Sequence, residues 1–111
     1  MDLKELTTVS QLADIKEQSN SKPQVIFKHS TRCAVSGVAK NRLERGTAPL
    51  NVDFYFLDLI RNRDISNKIA EEYSVLHESP QVLLINNGEC IYEESHSGIN
   101  MNEIEEQAAL L

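Results

Sequence analysis

No apolar stretch in this chain approaches the length of a membrane span. The first residues, Met1-Asp2-Leu3-Lys4-Glu5-Leu6, carry acids where a signal peptide would have its apolar core. No run of Lys or Arg is present and the formal net charge is −6, which argues against a general nucleic-acid binder. Internal repeats, low-complexity tracts and linkers are also missing. The 111 residues therefore read as a single domain, 1–111, with one core. Cysteine is scarce, with only Cys33 and Cys90. Two distant cysteines without a signal peptide fit a reducing cytoplasm better than a disulfide framework. Hydrophobic content of 41% and charged content of 25% are those of an ordinary soluble globular protein.

What is present alternates between helical and strand patterning. Thr8 or Ser10 can cap a first helix to about Ser19, with Leu12, Ala13 and Ile15 inward and Thr8–Gln11 as a capping box. Asn20-Ser21-Lys22-Pro23 is a turn, and Gln24 to Lys28 reads as a buried strand. A second helix runs from about Cys33 to Arg45, with Val35, Val38, Ala39 and Leu43 on its inner face and Gly46 at its end. Val52 to Leu59 is a strand apolar enough for burial on both faces. Asp64 caps a helix to about Tyr73 with Ile65, Ile69 and Tyr73 inward. Val82 to Ile85 and Cys90 to Glu94 are strands joined through Asn86-Asn87-Gly88, an Asn-Gly hairpin signal for a type I′ turn. Asn100 and Glu103 frame a last helix with Ile104, Ala108 and Leu111 inward. The first two strands, joined by a helix, make a parallel right-handed unit and the last two an antiparallel hairpin. The expected fold class is α/β, a mixed four-stranded sheet flanked by helices.

The chemistry-bearing stretch is Lys28-His29-Ser30-Thr31-Arg32-Cys33-Ala34-Val35-Ser36. It places Cys33 in the first turn of the second helix, where unpaired backbone N–H groups and the positive end of the helix dipole point. Such settings, with nearby cations, lower a cysteine pKa from about 8.5 into roughly the 3.5–7.5 range. Thr31, Arg32 and Ser36 are the expected thiolate-stabilising residues, with Lys28 and His29 close by in sequence. A lone cysteine is commonly a buried apolar residue. Cys33, however, precedes the apolar helix face and sits among Ser30, Thr31 and Arg32. Cys90, just past the hairpin turn, falls roughly 15 Å along the strands from Cys33. A disulfide needs Cα atoms within about 7 Å, so Cys90 reads as structural. Cys33, Cys90, His29, His77 and His96 can be nominated as metal ligands, but none form a close pair, and no metal is expected.

The order of elements, together with Cys33-x-x-Ser36 at the end of the first strand and Ser79-Pro80 opening the third, resembles the thioredoxin superfamily. More narrowly, Lys28 to Ser36 with His77-Glu78-Ser79-Pro80-Gln81-Val82 resembles the YtxJ family, the monothiol bacilliredoxins of bacillithiol-using Gram-positive bacteria. The resemblance spans essentially the whole chain. The Trp-Cys-Gly-Pro-Cys of thioredoxins is absent, since Arg32 and Ala34-Val35 stand there, and so is the Cys-Gly-Phe-Ser of cluster-carrying monothiol glutaredoxins.

The residues themselves say monothiol exchange: one thiolate suffices to attack a mixed disulfide, and Ser36 cannot resolve the product. The resemblance implies a thioredoxin-like domain that removes bacillithiol from modified client proteins through Cys33. Bacillithiol would be a co-substrate, no cofactor would be bound, and a separate thiol or reductase would regenerate Cys33. It also implies a cis Ser79–Pro80 bond, with Ser79 and Pro80 as substrate-binding residues and the Ser79 backbone pairing with the client. Arg32, with Lys40, is a candidate partner for the malate carboxylates of bacillithiol, and a solvated surface charge is the equally open reading. No nucleic acid or membrane is expected as a partner. The alternative function is a non-catalytic binding module using the acidic last helix and the groove between Cys33 and Pro80.

Overall fold

The structure, a computed structural model, describes residues 3–111. The elements follow as β1 (Leu3–Glu5), α1 (Ser10–Gln18), β2 (Gln24–His29), α2 (Ala34–Arg45), β3 (Asp53–Asp58), α3 (Arg63–Tyr73), β4 (Gln81–Asn86), β5 (Glu89–Ser95) and α4 (Met101–Ala109). A 3-10 turn at His96–Gly98 precedes α4. The strands form one mixed sheet in the order β1-β3-β2-β4-β5. β1 and β2 lie parallel to β3, while β4 is antiparallel to β2 and β5 to β4. The parallel β2-α2-β3 unit and the β4–β5 hairpin are those expected from the sequence. The sheet has five strands rather than four, because β1 adds an edge. Its three residues are too few to show alternation, and long-range pairing with Phe54, Tyr55 and Phe56 creates it.

β2 is the central strand, and all six of its residues are buried. Val25 and Phe27 join one core cluster with Ala39 and Leu43 of α2 and Met101, Ile104 and Ala108 of α4. Ile26 joins the other with Leu12 and Ile15 of α1 and Ile65, Ile69 and Tyr73 of α3. The period-two alternation of the strand thus feeds two cores, one on each face.

Several local expectations shift. Ala13 is exposed, while Leu12 and Ile15 are buried. Val9 occupies the N-cap of α1, and Gln11 Oε1 reaches back to accept from Thr7 N at 2.7 Å and Thr8 N at 2.9 Å. On α2 the buried face is Ser36, Ala39 and Leu43, whereas Val35 and Val38 are 46% and 57% exposed. The helix is turned by about one residue from the face its valines mark, because Ser36 is drawn inward by two hydrogen bonds described below. Gly46 ends α2 in an extended conformation, with φ −76°. A Cβ there would lie 2.8 Å from Met101 Cβ, so glycine permits the close approach of α2 to α4. Asn62, not Asp64, is the N-cap of α3, and Asp64 sits in its first turn. Leu111 lies beyond the end of α4 and is 53% exposed.

The remaining punctuation follows the sequence. Asn87 and Gly88 have φ of 51° and 77°, as a type I′ turn requires. Asn100 Oδ1 accepts from Glu103 N at 2.8 Å and caps α4. No helix among the described residues is long and apolar enough to cross a membrane.

Candidate functional site

Cys33 is the N-cap residue of α2, one position earlier than the first turn expected, with extended φ −112° and ψ 119°. Its N–H donates to Ser30 O at 3.2 Å, and its carbonyl accepts from Gly37 N at 3.2 Å. The thiol is free and half-buried. Thr31 and Arg32 are exposed beside it. Arg32 N donates to Ser30 Oγ at 3.3 Å, which tightens the turn between β2 and α2.

Ser36 does not spend its hydroxyl on the sulfur. It is fully buried, accepts from Ser30 N at 3.0 Å and pairs with His29 Nδ1 at 2.8 Å. Burial, then the cation of Lys40, lowers the pKa of His29, which favours the neutral imidazole in its pairing with Ser36. The chain Ser30 N–H to Ser36 O–H to His29 fastens the start of α2 to the end of β2. His29 packs against Phe27 and Phe56, with ring centroids 5.9 and 5.4 Å away. Lys40 lies over the Phe56 ring and pairs with Glu44 one turn on.

The Ser79–Pro80 bond is cis. Gln81, the first residue of β4, pairs with Lys28. Pro80 therefore lies one step beyond that pair, at the end of β2 from which the chain turns toward Cys33. Pro80 is buried and its carbonyl accepts from His96 N at 3.0 Å. Ser79 is half-buried, and its Oγ finds no hydrogen-bond partner among the described residues. Among the described residues its backbone N–H and C=O are also without partners.

The other polar residues lie elsewhere. Cys90 pairs with Ile85, four strand positions or roughly 13 Å from the Gln81 end. Its sulfur donates to Tyr92 O at 3.4 Å, and burial pushes its pKa up. The three histidines do not converge. His29 faces α2, His77 contacts Ser66 of α3 on the opposite face, and His96 stands 3.4 Å from Glu78 on an exposed turn.

Lys28 is not a cation beside the thiol. It is fully buried on the α3 face, with Nζ 3.4 Å from His77 Nδ1, and burial pushes its pKa down to about 8. Strand alternation carries this placement, since Ile26 and Lys28 share one side of β2 while Phe27 and His29 share the other.

A thioredoxin-like sheet with a free, half-buried thiol capping the helix after its central strand defines a thiol–disulfide oxidoreductase. The family model described as monothiol bacilliredoxin BrxC matches residues 4–104, and the chain belongs to that family. Among solved structures, a candidate oxidoreductase with a thioredoxin fold is similar at 30% identity and TM-score 0.80, over 96% of this chain and 93% of that one. Mitochondrial thioredoxin 3 from Saccharomyces cerevisiae has 19% identity and TM-score 0.73, over 98% and 95% of the two chains. Thioredoxin from Malassezia sympodialis has 18% identity and TM-score 0.73, over 98% and 90%. The two thioredoxins share the fold.

Proposed function

We propose that this oxidoreductase removes bacillithiol from mixed disulfides on client proteins through Cys33 alone. The observation that carries the reading is the state of Ser36. It occupies the position of a second thiol, it is buried, and its hydroxyl is committed to Ser30 and His29. With Cys90 on the far part of the β4–β5 hairpin, no second sulfur stands at the site.

The Cys33 thiolate attacks the bacillithiol sulfur of the mixed disulfide. The client sulfur leaves as a thiolate and takes a proton from water, and bacillithiol remains joined to Cys33. A second low-molecular-weight thiol or a reductase then attacks that new disulfide and returns Cys33 to the thiol. Ser79, with its backbone unpaired, offers an extended client segment a place to hydrogen-bond beside Pro80. Arg32, exposed next to the sulfur, suits the malate carboxylates of bacillithiol, while Thr31 flanks the same turn. Lys40, already paired with Glu44, contributes less. The reading needs no bound cofactor, and two free thiols suit a reducing cytoplasm.

The test is intact mass spectrometry after mixing the protein with a bacillithiolated client. One bacillithiol adduct on Cys33 and an equal amount of released client thiol are expected. An adduct on Cys90, or an unmodified Cys33 with the client bound, overturns the reading; the latter result favours a binding module.

A further inference from the structure

Lys28 is an anomaly of this fold. Its side chain is fully buried. Among the described residues it has no carboxylate partner. Burying an ammonium without a counter-charge is costly, and an apolar residue of similar shape is often neutral or stabilising in its place. The packing of the core does not explain this lysine.

Its contacts lead to the segment before Pro80. Lys28 Nζ lies 3.4 Å from His77 Nδ1, and Ser66 Oγ of α3 lies 3.2 Å from the same nitrogen. Gln81 Nε2, from the strand position opposite Lys28, donates to Leu76 O at 3.0 Å. The residues between α3 and β4 belong to no helix or strand, and these contacts fasten the middle of the segment. Val75 N donates to Ala70 O at 3.1 Å before it, and Glu78 stands 3.4 Å from His96 after it. The same residues end in Ser79, whose backbone is unpaired.

We propose that Lys28 is a positioning residue which, through His77, holds residues 75–79 so that the Ser79 backbone meets a protein substrate in line with Cys33. This rests on the reading that Cys33 exchanges with client disulfides. Lys28 touches no reacting atom and acts only through His77. Small disulfides, which do not need the Ser79 backbone, are indifferent to it.

The latch needs a neutral His77, because only an unprotonated Nδ1 accepts from the ammonium. The groups facing His77 are Lys28 of β2, Ser66 and Arg63 of α3 and Glu78 of its own segment. Cys90 of β5 and Gln81 of β4 flank Lys28. Burial first, then Lys28 and Arg63, hold the His77 pKa below its ordinary 6.5, and Glu78 opposes them. As pH falls through that lowered value, an imidazolium faces an ammonium and the segment is released.

Two variants test this, Lys28→Met and His77→Asn. In Lys28→Met the thermal midpoint is expected to stay level or rise, and exchange with a small disulfide to stay within about twofold. Exchange with a bacillithiolated protein is expected to fall by about tenfold or more, within the roughly hundredfold that a misplaced positioning group can cost. His77→Asn keeps an acceptor near the Nδ1 position without its titration. It is expected to retain the protein-substrate rate at neutral pH and to lose the acid-side decline of the wild type. Independently of activity, chymotryptic cleavage after Leu76, which is 82% exposed, is expected to speed up in Lys28→Met. Unchanged cleavage there overturns the latch, as does a wild-type protein-substrate rate in that variant. A wild type that exchanges with neither disulfide defeats the function reading instead, and the cleavage measurement still decides the latch.

Discussion

At the residue scale, Cys33 and Cys90 differ by position rather than by chemistry. Cys33 caps a helix at the end of β2, while Cys90 is half-buried on β5 with its pKa pushed up by burial. Cys33→Ser is therefore expected to abolish exchange and Cys90→Ser to leave most of it, measured as thiol release from a bacillithiolated client. Equal losses in the two would contradict the assignment. Ser36 deals with backbone and imidazole instead of sulfur. Ser36→Ala leaves Ser30 N–H and His29 Nδ1 without their buried partner, which is expected to cost about 1–3 kcal/mol in denaturant unfolding. Ser36→Cys places a thiol one helical turn from Cys33. It is expected to expel bound bacillithiol and close an internal disulfide, seen as loss of the adduct mass. Persistence of the adduct would show that position 36 does not reach the sulfur.

At the element scale, α2 carries the clearest lesson. Its valines at 35 and 38 mark one face by spacing, yet the structure buries the adjacent one. Val38→Lys is accordingly expected to change stability by no more than about 0.5 kcal/mol, the range of an ordinary surface change. A loss of several kcal/mol in urea unfolding would restore the valine face to the core. Gly46→Ala is the counterpart at the other end of the helix. Its methyl meets Met101 Cβ, and the overpacking is expected to cost about 1–3 kcal/mol by the same measurement. Hairpin and cap signals were legible because their chemistry is local: Asn87-Gly88 needs only its own φ angles, and Asn100 needs only Glu103. β1 was not, because three residues form a strand only when Phe54 to Phe56 are there to pair with them.

At the scale of the whole molecule, two histidines on opposite faces of the sheet share one electrostatic condition. Burial is the first cause that lowers the pKa of both His29 and His77 from 6.5. A base with a depressed folded pKa gives a contribution that is complete above the unfolded value and is lost as pH falls through the folded one. Stability to urea is therefore expected to decline as pH drops from 7 toward 5. Asp53 does not share this window. Burial opposes its charged form, but hydrogen bonds from Lys22 and Gln24 outweigh that and hold its pKa below 3.8, so its contribution fades only at lower pH. A midpoint that is flat or rises between pH 7 and 5 would refute the histidine account.

The sequence by itself determined the alternation of strands and helices, the parallel unit and hairpin, the bacilliredoxin resemblance, and Cys33 at the junction of strand and helix. Each of these is written in local periodicity, turn chemistry or a short motif. Only the tertiary structure decided which face of α2 is buried, that Ser36 serves Ser30 and His29, and that Lys28 lies under the sheet against His77. Lys28 and His77 are brought together by β2 pairing with β4 and packing on α3, and a contact between residues so far apart in the chain leaves no trace in the spacing around either one.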